Sequence, residues 1–415
     1  MRAVKSTSIV FAILLIFGGS IFAQNADQFF DQGQKQYAAK QYDASIASYR
    51  QYLALVPNDP GAVYNIWLCY YSSERYEQAI PVFKDSIRLK ADAPKSHYYL
   101  GASYYQLERY DEAVLSYKEA IRYQPDFVGA HIYLGNALDY LKRYNEAIAA
   151  YMKAVEYDPK NAHAYYELGV AYYAQKNYTS AMDAYQKSIA FDPAYTSAYN
   201  NLGNCFEKLS RQTEAIRMYQ KAIQTDPDYE LAHSNLANIF SSLKRDDDAA
   251  AEFRAVIKIN PNAYKAHSEL GYIYERKKQQ AGAVAAFNNA IRIKPDYASA
   301  HLGLGNVYYN TGKYAEAVPF YKKATEVDPE WPVAHIYLGD AYRNLRQFAP
   351  AIAEYNAALK FDSKRADAVS GLGLVYVEQN DLVMARKQQT TLQFLDKDLA
   401  EKLLVKINAA AANRP

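Results

Sequence analysis

The chain has 415 residues, of which half are hydrophobic and 22% are charged. Its 47 basic and 45 acidic residues leave a formal net charge of +2, which excludes the strongly basic composition of a dedicated nucleic-acid binder. Glycine and proline are too few for a collagen-like or low-complexity chain, whereas tyrosine is unusually frequent, with 42 residues.

The first 23 residues have the layout of a secretory signal peptide. Arg2 and Lys5 precede an unbroken apolar run over 9–17, and Ala23 is a small residue at the end of the segment. The apolar run is shorter than the ~20 residues that span a bilayer as a helix. We therefore expect cleavage after Ala23 and export to the periplasm or the extracellular space. The alternative is an uncleaved N-terminal membrane anchor, which would then be the one membrane contact of the protein.

From residue 26 onward the sequence repeats every 34 residues. Proline recurs at this interval from Pro125 to Pro329, and alanine recurs from Ala79 to Ala385. Numbering each repeat from 1 to 34 places a recurrent glycine, such as Gly135, at position 8. The pattern then predicts eleven ungapped repeats, which run from 26–59 to 366–399.

Each repeat has the pattern of two helices joined by a turn. Positions 4, 7, 8 and 11 have the spacing of one apolar helical stripe, and positions 20, 21, 24, 27 and 28 have the spacing of a second. Proline at position 32 predicts the end of the second helix. A helix pair of this size cannot bury its apolar face alone, so we expect the repeats to stack into one solenoid domain over 26–399. Residues 400–408 are predicted to form a C-terminal capping helix, and 409–415 a frayed tail.

The repeat resembles a known family. In the repeat 94–127 the stretch HYYLGASY is followed by Ala113, Tyr117 and Pro125, which is similar to the tetratricopeptide repeat (TPR) pattern. The resemblance implies an all-α fold, a right-handed superhelical solenoid of helix pairs whose first helices line a concave groove. In that family the groove typically holds an extended peptide or a helix of a partner. Trp67 departs from the pattern at position 8, where it is expected to part the two helices or to turn outward.

Positions 2, 5, 9, 12 and 13 of the first helix are expected to face the groove. These positions are rich in tyrosine in the N-terminal repeats and polar from residue 196 onward. The stretch NNLGN at 200–204 resembles the asparagine ladders of O-GlcNAc transferase, and an asparagine amide offers both a donor and an acceptor to a peptide backbone. The alternative is that these asparagines are only solvated. The candidate ligand residues are Tyr64, Tyr71, Tyr98, Tyr105, Asn136, Tyr140, Tyr166, Tyr173, Asn200, Asn201, Asn204, Asn235, Asn238 and Asn306.

Histidines and cysteines recur at fixed positions and invite a metal or disulfide interpretation. Six histidines occupy position 4, but stacked helices lie too far apart for neighbouring histidines to share one zinc ion, so we expect them to pack. Cys69 and Cys205 lie four repeats apart, too far for a disulfide, and are predicted to be free buried thiols. The six histidines are His97, His131, His233, His267, His301 and His335.

The sequence predicts an interaction protein and no enzyme. It contains no recognisable nucleophile, phosphate-binding or metal motif, and the repeats leave no room for a further catalytic domain. We expect an exported scaffold that binds an extended or helical segment of a partner protein, with no cofactor and no nucleic acid. The alternative is a module that binds envelope glycans through its groove tyrosines.

Overall fold

The computed structural model describes residues 26–57 and 59–412, so the expected signal peptide over 1–23 lies outside the described residues. Within those ranges the chain forms 23 helices and no strand. The helices fall into two compact units, which divide between Thr225 and Asp226. We call them the N-terminal body and the C-terminal body and describe each by itself.

The N-terminal body consists of six helix pairs. Its helices are α1 (26–38), α2 (Tyr42–Leu55), α3 (Pro60–Ser72), α4 (Tyr76–Leu89), α5 (Pro94–Gln106), α6 (Tyr110–Tyr123), α7 (Val128–Tyr140), α8 (Tyr144–Tyr157), α9 (Ala162–Ala174), α10 (Tyr178–Phe191), α11 (Thr196–Lys208) and α12 (Gln212–Thr225).

The C-terminal body consists of five helix pairs and a terminal helix. Its helices are α13 (Glu230–Ser242), α14 (Asp246–Ile259), α15 (Tyr264–Arg276), α16 (Gln280–Ile293), α17 (Ala298–Asn310), α18 (Tyr314–Val327), α19 (Pro332–Asn344), α20 (Phe348–Phe361), α21 (Ala366–Glu378), α22 (Leu382–Leu395) and α23 (Lys397–Ala412).

The two helices of a repeat pack through small residues. The alanine at position 20 is fully buried wherever it occurs, from Ala79 to Ala385, and lets the helix backbones approach closely. The glycine at position 8 lies against the aromatic ring at position 24, as Gly169 lies against Tyr185. The predicted all-α fold of repeated helix pairs is therefore confirmed. That the eleven repeats form a single solenoid domain stays a prediction.

The turn between the two helices has one recurrent backbone conformation. At position 15 the residue has a positive φ, between 54° and 63° in ten repeats and 76° at Gly312. The turn closes the first helix with two backbone hydrogen bonds, as when Lys142 N donates to Asp139 O and Arg143 N donates to Leu138 O, both at 2.8 Å. The ten residues other than glycine are Lys40, Glu74, Glu108, Lys142, Lys176, Ser210, Lys244, Lys278, Arg346 and Asn380.

The last helix covers the apolar end of the C-terminal body. Leu403 and Ile407 of α23 are buried in a cluster with Leu382 and Leu392 of α22. The helix begins earlier and ends later than the predicted 400–408. It begins earlier because the Asp396 carboxylate accepts the amide of Leu399 at 3.0 Å, and it continues through the alanines 409–412, which are strong helix formers. The expectation that 409–412 is frayed is therefore wrong.

Candidate functional site

The first helices of the N-terminal body present a continuous group of aromatic side chains. Tyr98 contacts Tyr133 with ring centroids 5.8 Å apart, and Tyr105 contacts Tyr140 at 5.7 Å, so that α5 and α7 are joined by aromatic contacts. We call the side chains at positions 2, 5, 6, 9, 12 and 13 of the first helices the first-helix face. The aromatic cluster on this face of α3, α5 and α7, to which Trp67 at position 8 also belongs, comprises Tyr64, Trp67, Tyr71, Tyr98, Tyr99, Tyr105, Tyr133 and Tyr140.

Five of these eight residues were candidates from the sequence, and three were not. Tyr99 and Tyr133 occupy position 6, next to the tyrosine-rich position 5, and that adjacency was the available signal. Trp67 turns its half-buried ring onto the cluster, where it stacks on Tyr71 at 4.9 Å and on Tyr99 at 5.3 Å. Of the two outcomes expected for this residue, the structure shows the parting of the helices, because α3 and α4 pack far less closely than the two helices of each repeat from α5 onward, and the indole nitrogen is buried.

The cluster keeps much of its area accessible. Tyr140 is 61% exposed, and Tyr64 and Tyr71 are each 41% exposed. Tyr140 also stacks on Tyr110 with the rings 4.7 Å apart and nearly parallel, which fixes the orientation of its exposed ring. Large aromatic side chains that are held rigid and half exposed are typical of binding surfaces.

Tyr166 and Tyr173 of α9 make their aromatic contacts within their own helix pair and its following turn. Tyr166 stacks on Tyr195 at 4.9 Å, and its hydroxyl accepts a hydrogen bond from Asn201 Nδ2 at 3.2 Å. Tyr173 packs edge-on against Tyr178 at 5.3 Å. Both side chains are half-buried and reach the first-helix face beyond the aromatic cluster.

Most candidate asparagines at position 9 have a structural role that the sequence did not predict. The hydroxyl of the buried tyrosine at position 24 donates a hydrogen bond to the position-9 side chain of the same repeat. Tyr151 donates to Asn136 at 2.7 Å, and Tyr321 donates to Asn306 at 2.8 Å. Tyr219 is bonded to Asn204 at 2.7 Å, and Tyr355 is bonded to Asp340 at 2.7 Å. These acceptors are therefore occupied by the protein itself.

The NNLGN stretch forms a network of its own. Asn200 is almost fully buried, with 3% exposure, and its amide donates to Asn201 Oδ1 at 3.2 Å. Asn204 Nδ2 reaches the same oxygen at 3.5 Å. Asn200 is therefore not placed to contact a ligand, because its side chain turns into the packed interior. The interpretation of 200–204 as an open ladder holds at most for Asn201 and Asn204, which are half-buried.

Asn238 differs from the other position-9 asparagines. Position 24 of its repeat is Phe253, which has no hydroxyl to donate, and the Asn238 side chain is exposed. Asn235, at position 6 of the same helix, is half-buried. Asn238 and Phe253 line a cavity of about 390 Å³ in the C-terminal body. Of the predicted asparagines, Asn238 is thus the one best placed to pair with a ligand.

A larger cavity adjoins the same face of the C-terminal body. Its volume is about 930 Å³, and its lining includes Glu269, Tyr272, Glu275, Arg276 and Trp331. Glu269 also lines the smaller cavity beside Asn238. Its carboxylate is half-buried, and burial raises its pKa, as it raises the pKa of Glu275. Glu269 occupies position 6, where the candidates from the sequence were Asn201 and Asn235 only.

The corresponding carboxylate in the N-terminal body is Glu167, also at position 6. Burial, with a smaller contribution from Asp139, raises the pKa of Glu167 to about 7. The Oδ1 atom of Asp139 is itself buried without a hydrogen-bond partner among the described residues. His163 Nε2 lies 3.7 Å from Glu167 Oε1, and burial lowers the pKa of this histidine. The first-helix face therefore carries acidic groups that titrate unusually.

The six position-4 histidines each hold the turn that precedes their repeat. In every case Nε2 donates a hydrogen bond to the carbonyl oxygen six residues earlier, at 2.8 to 3.2 Å, as His301 does to Pro295. The expected packing role thus includes a specific hydrogen bond. Within 26–57 and 59–412 no group of three or more histidine, cysteine or acidic side chains is placed to hold a metal ion.

The two cysteines are buried in the N-terminal body and unpaired, as predicted. Cys69 Sγ donates to Ser45 Oγ at 3.3 Å, and burial raises the pKa of Cys205 to about 12. Among the helices described here, none combines the length and the apolar composition needed to cross a membrane.

The matches to known protein families fall within the repeats. Profiles described as "Tetratricopeptide repeat" match residues 98–155, 133–196, 196–229, 232–263 and 298–330, and one described as "TPR repeat" matches 276–312 and 339–380. A profile described as "Anaphase-promoting complex, cyclosome, subunit 3" matches 38–120. Together the repeat profiles cover more than half of the chain. No curated protein matches it at a significant level.

Several solved structures are similar to parts of the chain. MamA is 26% identical over 40% of this chain and 97% of its own, with a TM-score of 0.38. YrrB, described as a TPR protein with an unusual peptide-binding site, is 26% identical over 44% of this chain and 95% of its own, with a TM-score of 0.38. A tetratricopeptide repeat protein from Parabacteroides merdae is 17% identical over 59% of this chain and 98% of its own, with a TM-score of 0.48.

Proposed function

The chain belongs to the tetratricopeptide-repeat family, and we propose that it is a non-catalytic scaffold that binds a segment of a partner protein on its first-helix face. The observation that carries the proposal is the aromatic cluster of α3, α5 and α7, where Tyr64, Tyr71 and Tyr140 are exposed and held by their neighbours. Tyrosine supplies a large contact area at low conformational-entropy cost, which is why it is enriched where proteins bind each other.

The test compares two tyrosines that are both exposed but lie on different helices of a repeat. Tyr140 is on a first helix, and Tyr157 is at the end of a second helix with 41% exposure. A photoreactive residue at Tyr140 should crosslink a partner in cells, and the same residue at Tyr157 should not. With the purified partner, Tyr140→Ser should weaken binding on the order of tenfold or more, as loss of an aromatic anchor does, and Tyr157→Ser should leave it unchanged. Equal effects at the two positions would reject the first-helix face as the binding surface.

In the C-terminal body the bound segment is proposed to be extended, with Asn238 pairing to its backbone. Asn238 has both an amide donor and an amide acceptor, and it is exposed beside a cavity. Asn238→Ala should therefore weaken binding of the partner without a loss of stability. Asn136→Ala provides the contrast, because it removes the acceptor of Tyr151 and should lower stability instead. A stability loss in the Asn238 variant equal to that in the Asn136 variant would contradict the assignment.

A glycan is the second candidate ligand, since the exposed and rigid ring of Tyr140 is also suited to stacking against a sugar. One measurement distinguishes a protein ligand from a glycan ligand. Tyrosine fluorescence should respond to extended peptides and not to soluble envelope glycans if the partner is a protein, and the reverse response would favour the glycan module. The near-neutral net charge disfavours nucleic acid.

We further propose that the protein acts outside the inner membrane, in the periplasm or the extracellular space. The support is the sequence of residues 1–23, with its basic start, short apolar run and small terminal residue. N-terminal analysis of the mature protein should find Gln24 first. Finding Met1 there would favour the alternative, an N-terminal membrane anchor.

A further inference from the structure

Glu269 lines both the larger and the smaller cavity described above in the C-terminal body. The larger cavity, of about 930 Å³, has two aromatic side chains in its lining, Tyr272 and Trp331. The Tyr272 ring is fixed, because its hydroxyl donates to Ser299 O at 2.6 Å. The site therefore combines one carboxylate with aromatic surface in a space that is large enough for a side chain.

The other buried or half-buried charges near Glu269 already have partners within the C-terminal body. Arg276 Nη2 binds Asp246 Oδ1 at 2.6 Å and also donates to Ser241 Oγ at 3.0 Å. Glu275 accepts a hydrogen bond from Asn310 Nδ2 at 2.9 Å. In the smaller cavity, Glu230 accepts from Asn260 at 3.2 Å. Lys265 and Lys278 line the cavities as well, but both are exposed.

Glu269 accepts no hydrogen bond from the residues that the structure describes, and its one attraction to a cation is the through-space attraction of Arg276, whose guanidinium is bound to Asp246. A half-buried carboxylate without donors is unfavourable, because the lost hydration is not replaced. A cationic group that entered the larger cavity would supply those donors in charge-assisted hydrogen bonds. The Tyr272 and Trp331 rings would pack against the apolar stem of the same side chain or against its charged end.

We infer that Glu269 is the recognition site for a basic side chain, lysine or arginine, of the partner segment. The inference rests on the proposed function, and it adds that the segment carries a positive charge where it crosses α15. Glu269 was not among the candidates from the sequence, because the position-6 candidates were Asn201 and Asn235 only.

The test uses Trp331 as a reporter. The chain has two tryptophans, so Trp67→Phe leaves Trp331 as the single one, inside the larger cavity. In this background a hexa-arginine peptide should change the Trp331 emission in a saturable way. A hexa-citrulline peptide, which has the same shape without the charge, should bind at least tenfold more weakly, given the strength of hydrogen bonds between charged groups.

The matched variants are Glu269→Gln and Glu316→Gln, which remove one negative charge each. Glu316 is exposed in the first turn of α18 and lines neither cavity. Glu269→Gln should weaken hexa-arginine binding at least tenfold, and Glu316→Gln should change it less than twofold. A thermal melt of each variant checks that the fold is intact.

Three results would overturn the inference: no response of Trp331 to hexa-arginine, equal binding of the two peptides, or equal binding to the two variants. The Tyr140 crosslinking experiment probes binding to the N-terminal body. Its outcome is therefore independent of the hexa-arginine experiment. If Tyr140→Ser weakens partner binding while Glu269→Gln has no effect, the scaffold function stands and only the basic side chain is refuted.

Discussion

Gly169 lies directly against the ring of Tyr185, so closely that a Cβ atom on the glycine would be 2.6 Å from the ring atom Cε1. Tyr185 is 1% exposed and cannot move aside without disturbing the core. The same glycine–aromatic contact recurs in other repeats, for example between Gly203 and Tyr219. This contact sets the distance between the two helices of a repeat.

Gly169→Ala should therefore destabilise the protein, although alanine favours helices by about 1 kcal/mol over glycine. The overpacked ring should cost more than this gain, for a net loss of about 1–2 kcal/mol. Gly129→Ala is the control, because its Cβ would lie 3.5 Å from the nearest atom, an ordinary contact. Urea unfolding followed by circular dichroism should show a loss for Gly169→Ala and none for Gly129→Ala. Equal midpoints for the two variants would refute the contact as a spacing element.

Removing the hydroxyl group should change the stability of the protein in opposite directions at two equivalent tyrosines. Tyr117 has a buried hydroxyl without a hydrogen-bond partner among the described residues, because position 9 of its repeat is Ala102. Tyr151 has its partner in Asn136. Tyr117→Phe should leave stability unchanged or raise it by up to about 1 kcal/mol, and Tyr151→Phe should lower it by about 1 kcal/mol. Thermal unfolding of the two variants tests the pair, and a larger loss at Tyr117 would contradict it.

Glu167 predicts a pH dependence of stability. Its pKa rises from the ordinary 4.5 to about 7 in the folded state, so between these values the folded protein binds more protons than the unfolded chain. Stability from this group is therefore present below pH 4.5 and is lost as the pH rises through about 7. Glu167→Gln should remove the loss and be more stable than the wild type at pH 8, by at most roughly 3 kcal/mol. Near pH 4 the two proteins should melt alike, and a constant difference across the range would exclude this origin.

Asp139 is the neighbouring charge that contributes to the raised pKa of Glu167. His163 lies beside the Glu167 carboxylate. The pH series should therefore be repeated with Asp139→Asn, which should lower the transition without removing it. The Glu167 charge in turn raises the pKa of nearby tyrosines, which stay uncharged across this pH series: Tyr105, Tyr151, Tyr185 and Tyr195.

His233 and His335 form a matched pair three repeats apart. Each binds a glutamate through Nδ1 at 2.6 Å, His233 to Glu252 and His335 to Glu354, and this hydrogen bond raises the pKa of each histidine. The stabilisation is complete at acid pH and is lost as the pH rises through the raised value. In an NMR titration, Glu252→Gln should lower the pKa of His233 and leave His335 unchanged. A shift of both histidines, or of neither, would contradict the pairing.

How far the sequence predicts this structure depends on the kind of interaction. The repeat interval predicts the helix pairs, the buried alanine at position 20 and the glycine at position 8, because burial follows the spacing of side chains along a helix. The roles of Asn136 and Asn306 were not predictable in this way, since each is decided by a hydroxyl 15 residues later in the chain. The role of Glu269 was not predictable for a related reason. Whether a carboxylate has a donor depends on distances between atoms on different helices, to which periodicity gives no access.

The turn at position 15 has a consequence for how the protein can be adjusted. Ten side-chain-bearing residues adopt a left-handed conformation there that disfavours L-amino acids by roughly 1–2 kcal/mol, and only Gly312 avoids the strain. Allowing for the flexibility that glycine adds to the unfolded chain, each exchange for glycine should yield a few tenths to about 1 kcal/mol. The exchanges lie at exposed or half-buried loop sites in successive repeats. Combining them should therefore raise the melting temperature in small steps without changing the first-helix face.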